Sequence, residues 1–199
     1  MIIRKKFEFN GQHIVRNCSS IRCKKSIHGH TYQVEVFFTA SDLDNGGMIL
    51  DFGLMKGNIK DIIKAFHNSY SIWNKEDEKF KDVISSVYDR IVSLPVSPSA
   101  ENYSLMLLYI IDNIIKATEF NNGEKAIKVK SVRVHETLTG YAESFRKDLK
   151  HIPFDLNDIK FSQSVTEEFE DKQLYNKILK FNKTKKKQFK NKKVVQQVK

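Results

Sequence analysis

Apolar and polar positions change their period along this chain, and each change marks an element. Residues 3–9 (IRKKFEF) and 31–39 (TYQVEVFFT) carry the β-branched and aromatic content of strands. In the second, Tyr32, Val34, Val36 and Phe38 share one face, and Gln33 and Glu35 share the other. Asn45-Gly46-Gly47 reads as a turn, and MILDF after it as a short strand. The period then lengthens. Leu54/Met55, Ile59, Ile62/Ile63 and Phe66 recur at helical spacing, which predicts a helix over 54–66. Phe80, Val83/Ile84, Val87/Tyr88 and Ile91 predict a second, closed by LPVSPS. Ser99 is placed to cap a third, strongly apolar from Tyr103 to Ile115. Residues 126–135 (AIKVKSVRVH) return to strand character. Their apolar parity shifts between Val129 and Val132, the mark of a bulge near Lys130 and Ser131. Tyr141–Phe145 hairpins back through Thr139-Gly140. Ser164 and Glu167 have capping-box spacing ahead of a last helix through Leu174, Ile178 and Phe181.

The order β-β-α-α-β-β predicts an α+β fold, a two-layer sandwich of a four-stranded antiparallel sheet and two main helices. Residues 1–146 form this domain, with an extra helix in an inserted segment at 71–99. Residues 147–199 are a C-terminal extension with a helix and a lysine-rich tail. No glycine-rich phosphate loop and no parallel βαβ alternation is present, which excludes nucleotide-binding folds of that kind.

Composition supports a packed core: 40% of residues are hydrophobic and 29% charged. The net charge of +10 suggests a nucleic-acid partner until its position is considered. Residues 172–199 hold eleven lysines and neither an acid nor an arginine, so they account for the whole excess and leave the body nearly neutral. Lysine runs without arginine or interleaved aromatics are weak recognition signals, so a solvated tail is favoured over one that holds RNA or an acidic membrane. No apolar run reaches the length of a membrane span and residues 1–15 lack a signal-peptide pattern. A reduced, cytoplasmic protein is the expectation, with Cys18 and Cys23 as free thiols.

Candidate chemistry gathers at His28-Gly29-His30. Two histidines at i and i+2 of a strand point the same way, their side chains starting roughly 6–7 Å apart. His13, after the first strand, supplies a third nitrogen, and three imidazoles with an open fourth position suit catalytic zinc. Cys23, five residues before His28, is a nucleophile or base if a cation lies nearby and otherwise a small loop side chain; Cys18 competes for either role. Glu136 closes the third strand within HET, where a carboxylate accepts hydrogen bonds from a heterocycle's amide and amino edge, or simply ends the strand in solvent.

Several separated motifs resemble the pterin-synthase family of the tunnelling fold, which includes 6-pyruvoyltetrahydropterin and 6-carboxytetrahydropterin synthases. FEFNGQH resembles the opening strand with its first zinc histidine, His13. CKKSIHGHTYQVEV resembles the family's nucleophilic cysteine, Cys23, followed by the zinc ligands His28 and His30. GGMILDFGLMK resembles the stretch entering the first helix, PSAEN the start of the last, and VRVHET the strand ending in the pterin-anchoring glutamate, Glu136. The resemblance implies Zn2+, subunits that close rings of three or stacked hexamers, and active sites between subunits where Glu101 joins Glu136. It implies 7,8-dihydroneopterin triphosphate as substrate, with Lys24, Lys25 and Arg16 near the triphosphate. The implied product is 6-carboxy-5,6,7,8-tetrahydropterin, a queuosine precursor, with acetaldehyde and triphosphate released.

Two departures stand against that pattern. Counted from Asp51, the family's Asp-His pair falls on His67 and Asn68; Asn68 cannot titrate, which leaves His67 as the catalytic candidate there. Four residues also separate Cys23 from His28, where the bacterial enzymes typically have three. The alternatives are a divergent zinc and pterin enzyme with another product, or a non-catalytic barrel whose basic tail binds nucleic acid.

Overall fold

The face formed by Tyr32, Val34, Val36 and Phe38 is wholly buried, and the sheet is built outward from the strand that carries it. The structure, a computed structural model, describes residues 1–191. Its strands are β1 (Ile3–His13), β2 (His28–Thr39), β3 (Ser69–Trp73), β4 (Ile91–Leu94), β5 (Thr118–Glu119), β6 (Lys128–His135), β7 (Tyr141–Phe145), β8 (Lys160–Phe161) and β9 (Phe189–Lys190). Its α-helices are α1 (Ile21–Lys25), α2 (Asn58–Lys64), α3 (Glu78–Val87), α4 (Ala100–Ala117), α5 (Gln163–Thr166) and α6 (Leu174–Thr184).

β1 and β2 pair antiparallel along their length, Phe9 opposite Tyr32, so the odd residues of β1 share the inner face with the even residues of β2. β6 and β7 follow, both antiparallel. The register of β2 against β6 shifts between Phe37 and Phe38, leaving Lys130 as the extra residue where the change of parity predicts a bulge. These four strands are the expected sheet, but the sheet does not end with them. It has seven strands in the order β7-β6-β2-β1-β3-β4-β8. The inserted segment supplies β3, parallel to β1 over its last three residues, and β4, parallel to β3; the extension adds β8 antiparallel to β4. The physical reason is that β1 runs on to His13, and its terminal N–H and C=O groups need partners that SYSIW supplies. The insertion is therefore not only helical. Its α3, capped by Asp77, packs with β3 and β4 around a small second core of Ile14, Tyr70, Ile72 and Ile84.

Helices α2 and α4 cover the inner face of the sheet. The helix expected over 54–66 is two pieces, a 3-10 turn at Phe52–Lys56 and then α2, separated at Gly57. MILDF is irregular chain rather than a strand, although Ile49 and Leu50 are buried. The second predicted helix stops at Val87, and Ile91 belongs to β4. Ser99 caps α4 as expected, accepting from the Asn102 N–H. Ser164 caps nothing; its hydroxyl donates to the Asp89 carbonyl, and the last helix is broken into α5 and α6.

The extension packs into the main core. Leu156, Ile159, Val165, Phe169, Leu174, Ile178, Phe181 and Phe189 are buried in one cluster with Phe9, Val34 and Leu107. The lysine-rich stretch is thus not a free solvated tail as far as residue 191. α6 buries its apolar stripe, β9 pairs with β5, and the Lys187 ammonium donates to the Lys116 and Thr118 carbonyls at the end of α4. The remainder of that tail, 192–199, lies outside the described residues. No described helix is long and apolar enough to cross a membrane.

Candidate active site

Where β1 ends, β2 begins, so antiparallel pairing sets His13 opposite His28 and Gly11 opposite His30. The three rings gather with centroids 4.5, 5.3 and 5.4 Å apart, and one nitrogen from each lies within 4.8 Å of the others. Gly29 is required between the two histidines of β2, because a Cβ there would stand 2.9 Å from the Gly11 carbonyl oxygen. The strands approach too closely for any side chain.

Two of the imidazoles are oriented by backbone carbonyls. A carbonyl oxygen can only accept, so the contact of His13 Nδ1 with Pro98 O, at 2.5 Å, places the proton on Nδ1 and the lone pair on Nε2. His28 Nδ1 sits 2.9 Å from Ser26 O with the same consequence. His13 is fully buried. Burial pulls its pKa down to about 4, outweighing the Pro98 bond, and the neighbouring His28 and His30 push the same way. His30 is lowered too, by burial against the opposing pull of Glu136. With Nδ1 engaged by a carbonyl, His13 and His28 each present an Nε2 lone pair, and His30 completes a donor set for a borderline divalent ion.

Glu136, just after β6, stands at the open side of the trio. Its Oε1 is 3.7 Å from His13 Nε2 and 3.8 Å from His30 Nε2, and it accepts a hydrogen bond from the Tyr32 hydroxyl at 3.2 Å. Burial pushes the Tyr32 phenol far up, which keeps it a donor. Glu136 and Glu101 line one cleft of about 210 Å³ with Thr137, Gly140 and Tyr141. Tyr32, which the strand pattern assigns only to one face of β2, is a further contributor; its position two residues after His30, on the same face, is the available signal.

Other candidates are dispersed. Cys23 lies half-buried on α1 with the exposed Lys24 and Lys25; its carbonyl accepts from Val15 N, which ties α1 to the chain just beyond His13. Cys18 is also free, its thiol donating to the Ser20 carbonyl. Arg16 is committed elsewhere: its guanidinium pairs with Glu76 and stacks over Phe80, both in the inserted segment. His67 is not among the three histidines. Its Nδ1 accepts from Asn10 N, and it lines a separate cleft of about 230 Å³ with Lys64, Arg90, Glu168 and Phe169. Burial, with Lys64 and Arg90 adding, lowers its pKa.

Three imidazoles on a strand pair able to hold a metal ion, beside a carboxylate, Glu136, that also lines a cleft with Glu101, are the layout of a metal-dependent enzyme. The comparisons with known proteins agree. A model of the 6-pyruvoyl tetrahydropterin synthase family matches residues 2–147. The chain is 44% identical over 183 residues to a 6-carboxy-5,6,7,8-tetrahydropterin synthase of Helicobacter pylori, covering 90% of this chain and 92% of that one. That span cannot be confined to residues 2–147, so the relative shares part of the extension. A Rickettsia typhi protein of the same name is 32% identical over 82 residues, 41% of this chain and 59% of its own. Among solved structures, a Wolinella succinogenes protein superposes with a TM-score of 0.57 at 18% identity, covering 73% of this chain and 98% of that one. The 6-pyruvoyl tetrahydropterin synthase of Plasmodium vivax gives 0.52 at 15% identity with the same coverage. The chain belongs to the 6-pyruvoyl tetrahydropterin synthase family, and it carries the tunnelling fold.

Proposed function

We propose that this chain is a zinc-dependent synthase that converts 7,8-dihydroneopterin triphosphate and water to 6-carboxy-5,6,7,8-tetrahydropterin, acetaldehyde and triphosphate. The observation that supports this most is the histidine trio beside Glu136, which also lines a cleft with Glu101, in a chain so similar to the Helicobacter pylori 6-carboxy-5,6,7,8-tetrahydropterin synthase. Zinc fits the donors: three neutral imidazoles leave one tetrahedral position for a substrate oxygen. Bound there, zinc supplies Lewis acidity to the substrate's side-chain hydroxyls.

The chain's own groups do the rest. Glu136 and Glu101 accept hydrogen bonds from the amide and amino edge of the heterocycle and orient it. Cys23, at its Sγ, moves a proton on one face of the side chain. Lys24 and Lys25 offer ammonium groups to the triphosphate from the helix that carries the cysteine. His67, with Nδ1 occupied by Asn10 N, has its proton on Nε2 and acts from there. Because it lines a different cleft of its own chain, it serves the site of a neighbouring copy in a ring of three or a stacked hexamer. A cytoplasmic location accords with the free thiols.

The test is incubation of the zinc-loaded protein with 7,8-dihydroneopterin triphosphate and identification of products by mass spectrometry. 6-Carboxytetrahydropterin with acetaldehyde is the expected result. Unchanged substrate with the metal bound would overturn the proposal.

A further inference from the structure

Glu136 stands closer to the metal-ligand nitrogens than an anchor for the substrate's far edge requires. We infer that in the substrate-free protein Glu136 Oε1, steered by the Tyr32 hydroxyl, takes the fourth coordination position, and that substrate enters by displacing it. The inference rests on the zinc reading above. A tetrahedral zinc ion with ligands at about 2.0–2.2 Å sets neighbouring donor atoms about 3.3–3.5 Å apart. Oε1 lies 3.7 Å from His13 Nε2 and 3.8 Å from His30 Nε2, within a few tenths of an ångström of such an edge to two of the three imidazoles.

The same carboxylate cannot hold the amide edge of a bicyclic heterocycle whose side chain reaches the metal, because the ring must lie between the two. Glu136 therefore has two positions. The inner one is built. Tyr32 is fully buried, with its hydroxyl 3.2 Å from Oε1 and 3.3 Å from His13 Nε2; once Nε2 is given to the ion and Nδ1 donates to Pro98, its one proton is left for Oε1. Tyr32 thus selects which oxygen faces the imidazoles, and it is a positioning residue. The outer one is the cleft that Glu136 shares with Glu101, and a side chain still one-third exposed has room to swing into it. The resting centre is closed to water and stray ligands, and the carboxylate that leaves the metal is the one that receives the heterocycle.

The experiment is the visible absorption of the full-length protein loaded with Co2+ and titrated with imidazole, a neutral ligand that reports an open position rather than a change of charge. Wild type, Glu136→Gln and Tyr32→Phe are compared, with His30→Ala as the control that the band comes from the histidine site. Imidazole is expected to bind about tenfold more weakly to wild type than to Glu136→Gln, the penalty when a position is open about a tenth of the time. Tyr32→Phe is expected to fall between. Equal imidazole affinity in wild type and Glu136→Gln, with the histidine-dependent band intact, overturns the inference and leaves the metal reading standing. A wild-type protein with no histidine-dependent cobalt band overturns both. If Tyr32→Phe does not fold, the comparison of wild type with Glu136→Gln still decides.

Discussion

His13 donates its Nδ1 proton to the carbonyl of Pro98, 85 residues further along the chain. The segment that leads into α4 thereby fixes the tautomer of a candidate metal ligand at the end of β1, and one hydrogen bond ties the helix layer to the histidine cluster. Because Nε2 alone remains for an ion, the three histidines act as a unit. His28→Ala and His30→Ala, both at partly exposed positions, are expected to lower zinc affinity by more than about 100-fold, the most that loss of an outer partner alone costs. Competition with a chromophoric chelator measures it. Unchanged affinity in both variants would remove the metal site.

The two cysteines make opposite predictions. Cys23 shares α1 with the lysines proposed for the triphosphate, whereas the Cys18 thiol is turned to the Ser20 carbonyl. Cys23→Ala should lower kcat by about 10²–10⁴, the usual weight of a positioned proton-transfer group, while keeping its zinc. Cys18→Ala should leave kcat unchanged. The reverse pattern would move the reactive thiol to Cys18.

Asp61 on α2 is buried, and its carboxylate accepts from the Glu170 N–H. Burial raises its pKa against that bond, and the nearby Glu170 charge adds to the rise. A raised folded value means that Asp61 favours the fold most when protonated, and that this contribution is lost as pH rises through the folded pKa. Asn keeps the acceptor and removes the charge. Asp61→Asn should therefore have a higher Tm than wild type at pH 7. The gap should shrink as pH falls toward the unfolded aspartate value of about 3.9. A gap of the same size at both ends would rule out the charge as its cause.

Much of this fold can be read in the sequence because its period is clean where one face is buried. Tyr32 to Phe38 gives β2, Lys130 marks the bulge, and Ser99 marks the start of α4. What escaped is of a different kind. SYSIW alternates from Ser69 to Ile72 but is five residues long with both faces buried, IVSL is only four residues long, and a parallel pair gives no hairpin turn to announce either. The gathering of the three histidines can be read from HGH and its partner on the opening strand. The Pro98 carbonyl cannot, because a backbone acceptor leaves no residue signature. Counting residues from Asp51 points to His67 but does not say which cleft the side chain lines.

The extension should unfold with the rest of the chain. Ile178 is fully buried in the cluster that also holds Phe9 and Leu107. Ile178→Ala is expected to cost about 2–5 kcal/mol of global stability. Denaturant melts followed by circular dichroism and by the fluorescence of Trp73, in β3, should shift together. An early transition that leaves Trp73 fluorescence untouched would show the extension folding separately.

All three imidazoles belong to the single hairpin of β1 and β2, although the sheet around it is closed by pairings between distant parts of the chain, Gln33 with His135 among them. Hairpins form in microseconds, whereas pairings of high sequence separation wait on loop closure. A divalent ion can therefore grip the hairpin before the insertion, the last helices or Pro98 have arrived. The metal then acts as a template for folding as well as a reagent: refolding from denaturant should accelerate with zinc concentration, and a chelator added at the start should slow it.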